Sequence, residues 1–321
     1  MKTLLCFVAM VFTLVVDGLP AQAAHYPEKP VTCVVPFAPG GAADISVRML
    51  VEPLQKEFGQ PIVIVNKGGG SGIPGLHSVL RAEPDGYTVA GGALGNAFVA
   101  TFFLDAPRFD LDKIGFVGAY MPQERILLAK KDKPYKKWEE FVTYAKANPG
   151  KISVGSGASQ EALEVVRSAA IRDGLNLKYV MYKSGGEATA DLLGGHIDVC
   201  ELGVGTPGYQ AARKGDLVIL TNLGSDRIPF FENIPSLKDR GYPYATALSY
   251  GFAFPDKTPE AIRAKWEKAL EKVLQDKELR EKMENAGFRP KFMDSGAYKK
   301  FSQDTVQSID SMLQYNKQGA K

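Results

Sequence analysis

The sequence predicts a two-lobed α/β protein, each lobe a mostly parallel sheet flanked by helices, with a ligand cleft between the lobes. Three observations predict it. Short β-branched runs alternate with helical apolar stripes along nearly the whole chain, the alternation occurs as two successive series, and the strands of both series run into glycine-rich loops. In open parallel sheets such loops gather along one edge, and ligands bind at that edge.

The first strand lies in residues 31–35, where Val31, Val34 and Val35 form a β-branched run too short for a helix. Pro36, Pro39 and Gly40-Gly41 then force the chain out of the ladder. Ile45, Met49, Leu50 and Leu54 recur at helical spacing, so a helix begins near Ala42 and turns its free N–H groups back into the loop. Peptide dipoles place about half a positive charge at such an end, which attracts anions. Residues 61–65 form a second strand, ending in Asn66-Lys67-Gly68-Gly69-Gly70-Ser71-Gly72, and a short helix carries Leu76, Val79 and Leu80. After the turn Glu83-Pro84-Asp85-Gly86, a third strand over 87–90 opens into a small-residue loop over 91–96.

Residues 114–120 and 125–129 are the next strands, and the charged stretch 130–137, with Pro134, suits a crossing between domains. The second series starts with a helix marked by Trp138, Phe141, Val142 and Ala145. A strand over 152–154 follows and runs into Gly155-Ser156-Gly157-Ala158-Ser159-Gln160. A helix with Leu163, Val166, Ala170 and Ile171 comes next, then a strand over 179–182, the loop Lys183-Ser184-Gly185-Gly186, a helix with Leu192 and Leu193, and strands over 196–200 and 217–220. Residues 223–244, with three prolines, form an irregular stretch that returns the chain to the first lobe. A strand over 249–254 precedes a helix capped by Thr258, with Pro259 in its first turn and an apolar stripe of Ile262, Trp266, Leu270, Val273 and Leu274. A short strand over 288–292 and a long helix over 298–315 close the chain.

The division that follows is a leader over residues 1–24, a discontinuous first lobe over 25–125 and 227–321, and a second lobe over 126–226. The leader carries Lys2, an apolar run from Leu4 to Val16 and the small-residue pattern Ala21-Gln22-Ala23, as in a secretory signal peptide. It predicts an exported, periplasmic chain. The formal net charge of +3 over 321 residues, with acids and bases interspersed, argues against nucleic acid as partner. Cys33 and Cys200 lie far apart in the chain and read as two separate buried thiols.

Catalytic and metal patterns are absent from the sequence. His25, His77 and His196 have no identifiable partners, no nucleophile elbow occurs, and no His/Cys/Asp/Glu spacing fits a metal. Gly70-x-Gly72-x-x-Gly75 matches the dinucleotide fingerprint between a strand and a helix. Pro74 in the turn, and Gly91-Gly92 where a ribose-binding acid belongs, argue against an NAD(P)-dependent oxidoreductase. The motif reads instead as a tight loop presenting backbone donors, with no cofactor and no catalytic residue expected.

Tyr26-Pro27-x-Lys29-Pro30 after a signal peptide, then Val-Pro-Phe-Ala-Pro-Gly-Gly-x-x-Asp-Ile-x-x-Arg, resembles the periplasmic solute-binding proteins of tripartite tricarboxylate transporters, the Bug or TctC family. Pro84-Asp85-Gly86-Tyr87-Thr88, Asn148-Pro149-Gly150-Lys151 and Asp191-Leu192-Leu193-Gly194-Gly195-His196-Ile197-Asp198 extend the resemblance over nearly the whole mature chain. It implies a type II-like periplasmic binding fold, a monomer that closes on a small carboxylate ligand and delivers it to membrane permease subunits. A role as ligand-presenting partner of a sensor, or as an orphan binding protein, uses the same surface. Carried over residue by residue, the resemblance assigns ligand contacts to Phe37, Ala38, Pro39, Gly40, Gly41 and Asp44, to Gly70 and Ser71, and to Ala93 in the third loop. From the second lobe it assigns Ser156, Gly157, Ala158, Ser159, Gln160, Tyr182, Lys183 and Gly185. Asp44 is expected to fix its loop by accepting backbone hydrogen bonds, with Arg48 one turn on as its partner.

Overall fold

A computed structural model describes residues 25–157 and 159–319, so the leader and Ala158 lie outside the described residues. Two sheets, each covered on both faces, build the molecule. The first series supplies β1 (Val31–Val35), α1 (Ala42–Phe58), β2 (Ile62–Asn66), α2 (Ile73–Leu80), β3 (Thr88–Gly92), α3 (Leu94–Ala100) and β4 (Ile114–Pro122). The second supplies β5 (Arg125–Lys130), α4 (Trp138–Ala147), β6 (Ile152–Ser156), α5 (Gln160–Asp173), β7 (Leu177–Met181), α6 (Gly185–Gly194), β8 (Val199–Gly203), α7 (Pro207–Arg213) and β9 (Leu217–Asn222). The chain then returns through β10 (Ser249–Pro255), α8 (Glu260–Val273), α9 (Lys277–Asn285), β11 (Met293–Asp294) and α10 (Ser295–Gly319).

The first sheet has the order β11-β4-β10-β3-β1-β2 and the second β7-β6-β8-β5-β9. β1 pairs in parallel with both β2 and β3, and β6 with both β7 and β8, as expected for crossovers through helices. The returning strand β10 runs antiparallel to β3 and β4, and β5 runs antiparallel to β8 and β9. The α/β architecture is therefore as expected, while the sheets are mixed rather than mostly parallel. The cause is that each chain crossing between lobes feeds a strand in from the opposite direction.

Alternation along the strands sends side chains to two cores per sheet. In β1, Val31, Cys33 and Val35 pack with Leu50, Leu54 and Trp266, whereas Val34 faces Leu76, Val79 and Phe98 on the other side. In β5, Leu127 and Ala129 join Trp138 and Phe141, whereas Ile126 and Leu128 join Leu192 and Tyr209. Cys33 and Cys200 are buried free thiols, and burial pushes the Cys33 thiol up to about 12.

Several elements differ in position from expectation. The stretch 130–137 does not cross between lobes; it links β5 to α4 within the second sheet, and Gln123-Glu124 alone separates the strands of the two sheets. The loop expected over 91–96 is the end of β3 followed by α3. Gly91 is there for packing, because a Cβ would stand 2.7 Å from the Phe252 ring and 2.8 Å from Cys33 Sγ. β8 begins at Val199 rather than His196, since the chain first closes α6 with His196 N–H donating to Asp191 O. Pro259, not Thr258, takes the cap position of α8, and the short last strand is Met293–Asp294 rather than 288–292. The helix α7 was not anticipated.

Gln123 N–H donates to Leu248 O, so the outgoing and returning crossings are bonded side by side. Residues 223–237 stay with the second sheet, where Leu223 and Leu237 are buried. The terminal helix α10 spans both cores: Tyr298 packs with Phe98 and Phe116, and Ile309 and Met312 pack with residues of α4 and α5. Among the described residues no helix is long and apolar enough to cross a membrane.

Candidate functional site

A cavity of about 260 Å³ opens between the two sheets, walled by the loop after β1, the starts of α6 and α7, and the crossing residues Gln123 and Arg125. A larger groove, about 500 Å³, lies outside the cleft between α3 and α10, lined largely by Phe98, Phe102, Phe109 and Val306. The cleft cavity is where strand ends from both sheets meet.

Phe37, Ala38, Pro39, Gly40 and Gly41 form its first wall, continued by Ala42 and Ala43 at the start of α1. No side chain caps α1 at Gly41, so its first-turn N–H groups are left to the cavity. Gly40 needs its left-handed φ of 78° to turn the loop. Asp44 does not touch the cavity. It is 2% exposed and accepts from Gly40 N–H at 2.9 Å, Arg48 Nε at 2.9 Å and Asn66 Nδ2 at 2.9 Å. Asn66 Nδ2 also lies 3.0 Å from the Phe37 carbonyl, so one carboxylate ties the loop after β1 to the end of β2. Burial alone would raise the Asp44 pKa, but the Arg48, Gly40 and Asn66 hydrogen bonds outweigh it and hold the carboxyl below its usual range. The loop-fixing arrangement expected of Asp44 and Arg48 is the one present.

The second glycine loop serves packing. A Cβ on Gly75 would stand 2.5 Å from Lys67 O and 2.8 Å from Pro36, and one on Gly72 would meet the Phe37 ring at 3.1 Å. The fingerprint spacing of Gly72 and Gly75 thus seats α2 against the first loop. Gly70 does not line the cavity, and Ser71 lines a separate small recess with Asn96, Ser159, Gln160 and Glu161. Ala93 and Asn96 line the cavity itself.

In the second lobe, Gly157, Lys183 and Gly185 reach the cavity, joined by Ser184, Gly186, Thr206 and Pro207. Gly157 must be small, because a Cβ would stand 2.9 Å from the Gly185 Cα and 2.6 Å from Leu202. Ser184 caps α6 by accepting from Glu187 N–H, so α6 as well as α1 points its positive end into the cleft. Ser159 is spent as the cap of α5, accepting from Ala162 N–H. Tyr182 turns away, its hydroxyl donating to Asp191 Oδ2 at 2.7 Å. Ser156 is fully buried and donates to Glu201.

Glu201 belongs to a group that the sequence pattern did not bring together. Arg125 donates from Nε to Glu201 Oε2 at 2.8 Å and from Nη2 to Oε1 at 2.6 Å, a two-pronged pair between neighbouring strands β5 and β8. Burial would lower the Arg125 pKa, but the Glu201 charge more than reverses this, so the guanidinium stays charged. Beside it, Glu161 Oε1 accepts from Ala247 N–H at 2.8 Å, and burial pushes its carboxyl up to about 7. Burial likewise raises Glu124 to about 8. A signal for the pair existed: a charged residue stands within each of two largely apolar strands, Arg125 at the head of β5 and Glu201 in the middle of β8, and such buried charges are tolerated when paired. Their separation of 76 residues hid the pairing.

His77 stacks on Phe109 with ring centroids 4.5 Å apart, and His196 is exposed. Among the described residues no group of three or more His, Cys, Asp or Glu is placed to hold a metal ion. The geometry is that of a cleft cavity onto which the starts of α1 and α6 converge.

Comparison with known proteins gives a consistent assignment. The family described as tripartite tricarboxylate transporter family receptor matches residues 46–317. The chain is 30% identical over 299 residues to the UPF0065 protein in the gbd 5′ region of Cupriavidus necator, covering 92% of this chain and 89% of the relative. Periplasmic binding protein BugD, 26% identical, superposes with a TM-score of 0.79 over 91% of this chain and 98% of its own. MatC from Rhodopseudomonas palustris with bound malate, 24% identical, shares the fold with a TM-score of 0.77 over 89% of this chain and 99% of its own.

Proposed function

This chain belongs to the tripartite tricarboxylate transporter receptor family, and from that premise we propose that it captures a small carboxylate-bearing metabolite in the cleft and hands it to membrane permease subunits. Its role is that of a solute-binding receptor, as in the family at large. The observation that carries the carboxylate reading is the start of α1. Gly40, Gly41 and the uncapped N–H groups that follow line the cavity, where an anion's oxygens reach the backbone without a side chain between.

An anion held by dipoles leaves no unpaired lysine or arginine desolvated when the cleft is empty. Phe37, Ala38, Pro39, Gly40, Gly41 and Ala93 hold the carboxylate end in this reading, and Gly157, Lys183 and Gly185 contact the remainder. Gly70, Ser71, Ser156, Ser159, Gln160 and Tyr182 act by shaping or supporting the loops. Lobe closure occurs about the paired crossings at Gln123-Glu124 and Leu248, with the ligand favouring the closed state by its contacts to both sides. The protein works as a periplasmic monomer, consistent with the family's periplasmic binding proteins.

A thermal-shift screen tests the proposal. Dicarboxylates, tricarboxylates, aromatic acids and amino acids are set against amines and neutral sugars. At about a hundred times its dissociation constant, a ligand adds roughly 2.7 kcal/mol to the native state. At about 2–4 °C per kcal/mol for somewhat smaller chains, a rise of several degrees with at least one carboxylate is expected. A rise with uncharged compounds alone refutes the anion site.

A further inference from the structure

The two crossings between the lobes each bring a buried side chain with an unspent donor to the cleft. Gln123 N–H donates to Leu248 O, which sets the start of β5 beside the start of β10. Arg125 and Tyr250 stand at those starts, 5% and 4% exposed, and both line the cavity. Arg125 commits Nε and Nη2 to Glu201, while Nη1 has no protein partner among the described residues. The Tyr250 ring lies beside Tyr120 with centroids 6.1 Å apart, and its hydroxyl is bonded to no group among the described residues. The hydroxyls of Tyr135 and Tyr298 are likewise unpartnered but shut away from solvent, whereas that of Tyr250 keeps access to the cavity.

The surroundings decide what these donors receive. Glu201 cancels the Arg125 charge from behind, its oxygens taken by Arg125 and Ser156, and no Asp or Glu side chain lines the cavity among the described residues. The start of α6 turns its positive end into the same cavity, and Lys183 adds a full positive charge from the exposed rim. Burial pushes the Tyr250 phenol up to about 12, so it keeps its proton and can donate. An apolar ligand end would leave these donors unpaired once the lobes close. A second carboxylate accepts from them and meets the Lys183 charge.

Resting on the carboxylate reading of the α1 end, we propose that Tyr250 and Arg125 set the specificity of this cleft: the Tyr250 hydroxyl and Arg125 Nη1 together receive a second carboxylate, so that a short diacid is preferred to the monoacid of the same length. A cavity of about 260 Å³ is below the ~300–1,000 Å³ of drug-sized sites, which keeps the ligand to a short chain. Discrimination is strong where a site is built to hydrogen-bond one group and the analogue lacking it leaves those partners unpaired.

Tyr250→Phe isolates the hydroxyl. It keeps the ring beside Tyr120 and strands no buried group, since the hydroxyl has no protein partner, so the variant should melt with the parent. Calorimetric titration of both proteins with succinate, glutarate and adipate, set against butanoate, pentanoate and hexanoate of matching length, tests the proposal. In the parent, the best diacid is expected to bind at least tenfold more tightly than its matched monoacid. In the variant, that diacid is expected to lose about tenfold in affinity while the monoacid changes less than about twofold, because only the diacid has a group for the hydroxyl to reach. A loss shared equally by both acids marks a structural role and overturns the assignment, as does a diacid that the variant binds unchanged. A monoacid equal to its diacid in the parent overturns the second carboxylate, leaves the α1 reading standing, and decides the matter even where the variant does not fold. Binding by neither series overturns this inference, and the broader thermal-shift screen then judges the α1 reading by itself.

Discussion

The two walls of the cleft share glycine backbone at a helix start but differ in the side chains placed beside it. The first-lobe wall is made of backbone, with its one buried carboxylate, Asp44, turned away to fasten the loop. The second-lobe and crossing wall adds side chains to the backbone of Gly157, Gly185 and Gly186: Arg125 and Gln123 line it, and behind it Glu201 accepts from both Arg125 and Ser156. Backbone dipoles recognise a carboxylate whatever is attached to it, whereas side chains can be exchanged one at a time. The first wall is therefore suited to a ligand class and the second to choosing within it.

The sharpest way to break that contrast is to remove one partner of the buried pair. Glu201→Leu leaves Arg125 charged and uncompensated, and a loss of roughly 3–5 kcal/mol of stability is expected. At ~2–4 °C per kcal/mol, the melting temperature should fall by roughly 6 °C or more. Replacing both Arg125 and Glu201 by leucine should restore much of it, because the neutral pair avoids the unpaired charge. A single variant as stable as the parent contradicts the pair's geometry.

The next effect depends on pH. Burial raises Glu161 to about 7, above its ordinary value near 4.5, so the folded state holds this proton more tightly than the unfolded chain does. That preference favours folding at low pH, is lost progressively as pH rises from about 4.5, and is gone once pH passes about 7. Glu161→Gln keeps an acceptor for Ala247 N–H and removes the charge. It should therefore stabilise the protein by about 3 kcal/mol at pH 8, at ~1.4 kcal/mol per pKa unit, and by little at pH 4. Denaturant melts of the two proteins at both pH values check it; equal differences at pH 4 and pH 8 contradict a buried titrating carboxyl.

The smallest expected change in fold stability comes from the first wall. Gly41 has an ordinary φ of −79°, and a Cβ there would meet only Ala38 O at 3.6 Å, so Gly41→Leu should fold normally. Its side chain would stand where the anion approaches, and the roughly 2.7 kcal/mol that a saturating carboxylate adds should vanish. Normal binding by this variant, measured by thermal shift, would show that the loop is not the anion site.

How much of this was legible in the sequence follows the same division. β1, the loop with Gly40-Gly41 and the start of α1 could be read because propensity, turn chemistry and helical spacing all act within a few residues. The link between Asp44 and Arg48 is one helical turn and was equally readable. Gly91 reads as a loop residue in the sequence because its structural reason is a ring from Phe252, more than a hundred residues away in the chain. α7 had a local signal in Thr206-Pro207, a capping residue type before a first-turn proline, that its brevity concealed. Arg125 and Glu201 were out of reach because a register between β5 and β8 brings them together, and one sequence carries no record of that register.

The course of the chain also governs when the protein can become stable. β10 sits between β4 and β3 in the first sheet, so that sheet is incomplete until residues after 248 exist. The second core is completed only by Ile309 and Met312 of α10, and Asn316 accepts from Ser168 Oγ and donates to Glu164 Oε2 in α5. A ribosome-bound chain can thus finish neither lobe before nearly all of it has been made, and both must then close long loops at once. The last helix thus acts as the clasp of both lobes, joining Tyr298 to the first core and Ile309 and Met312 to the second.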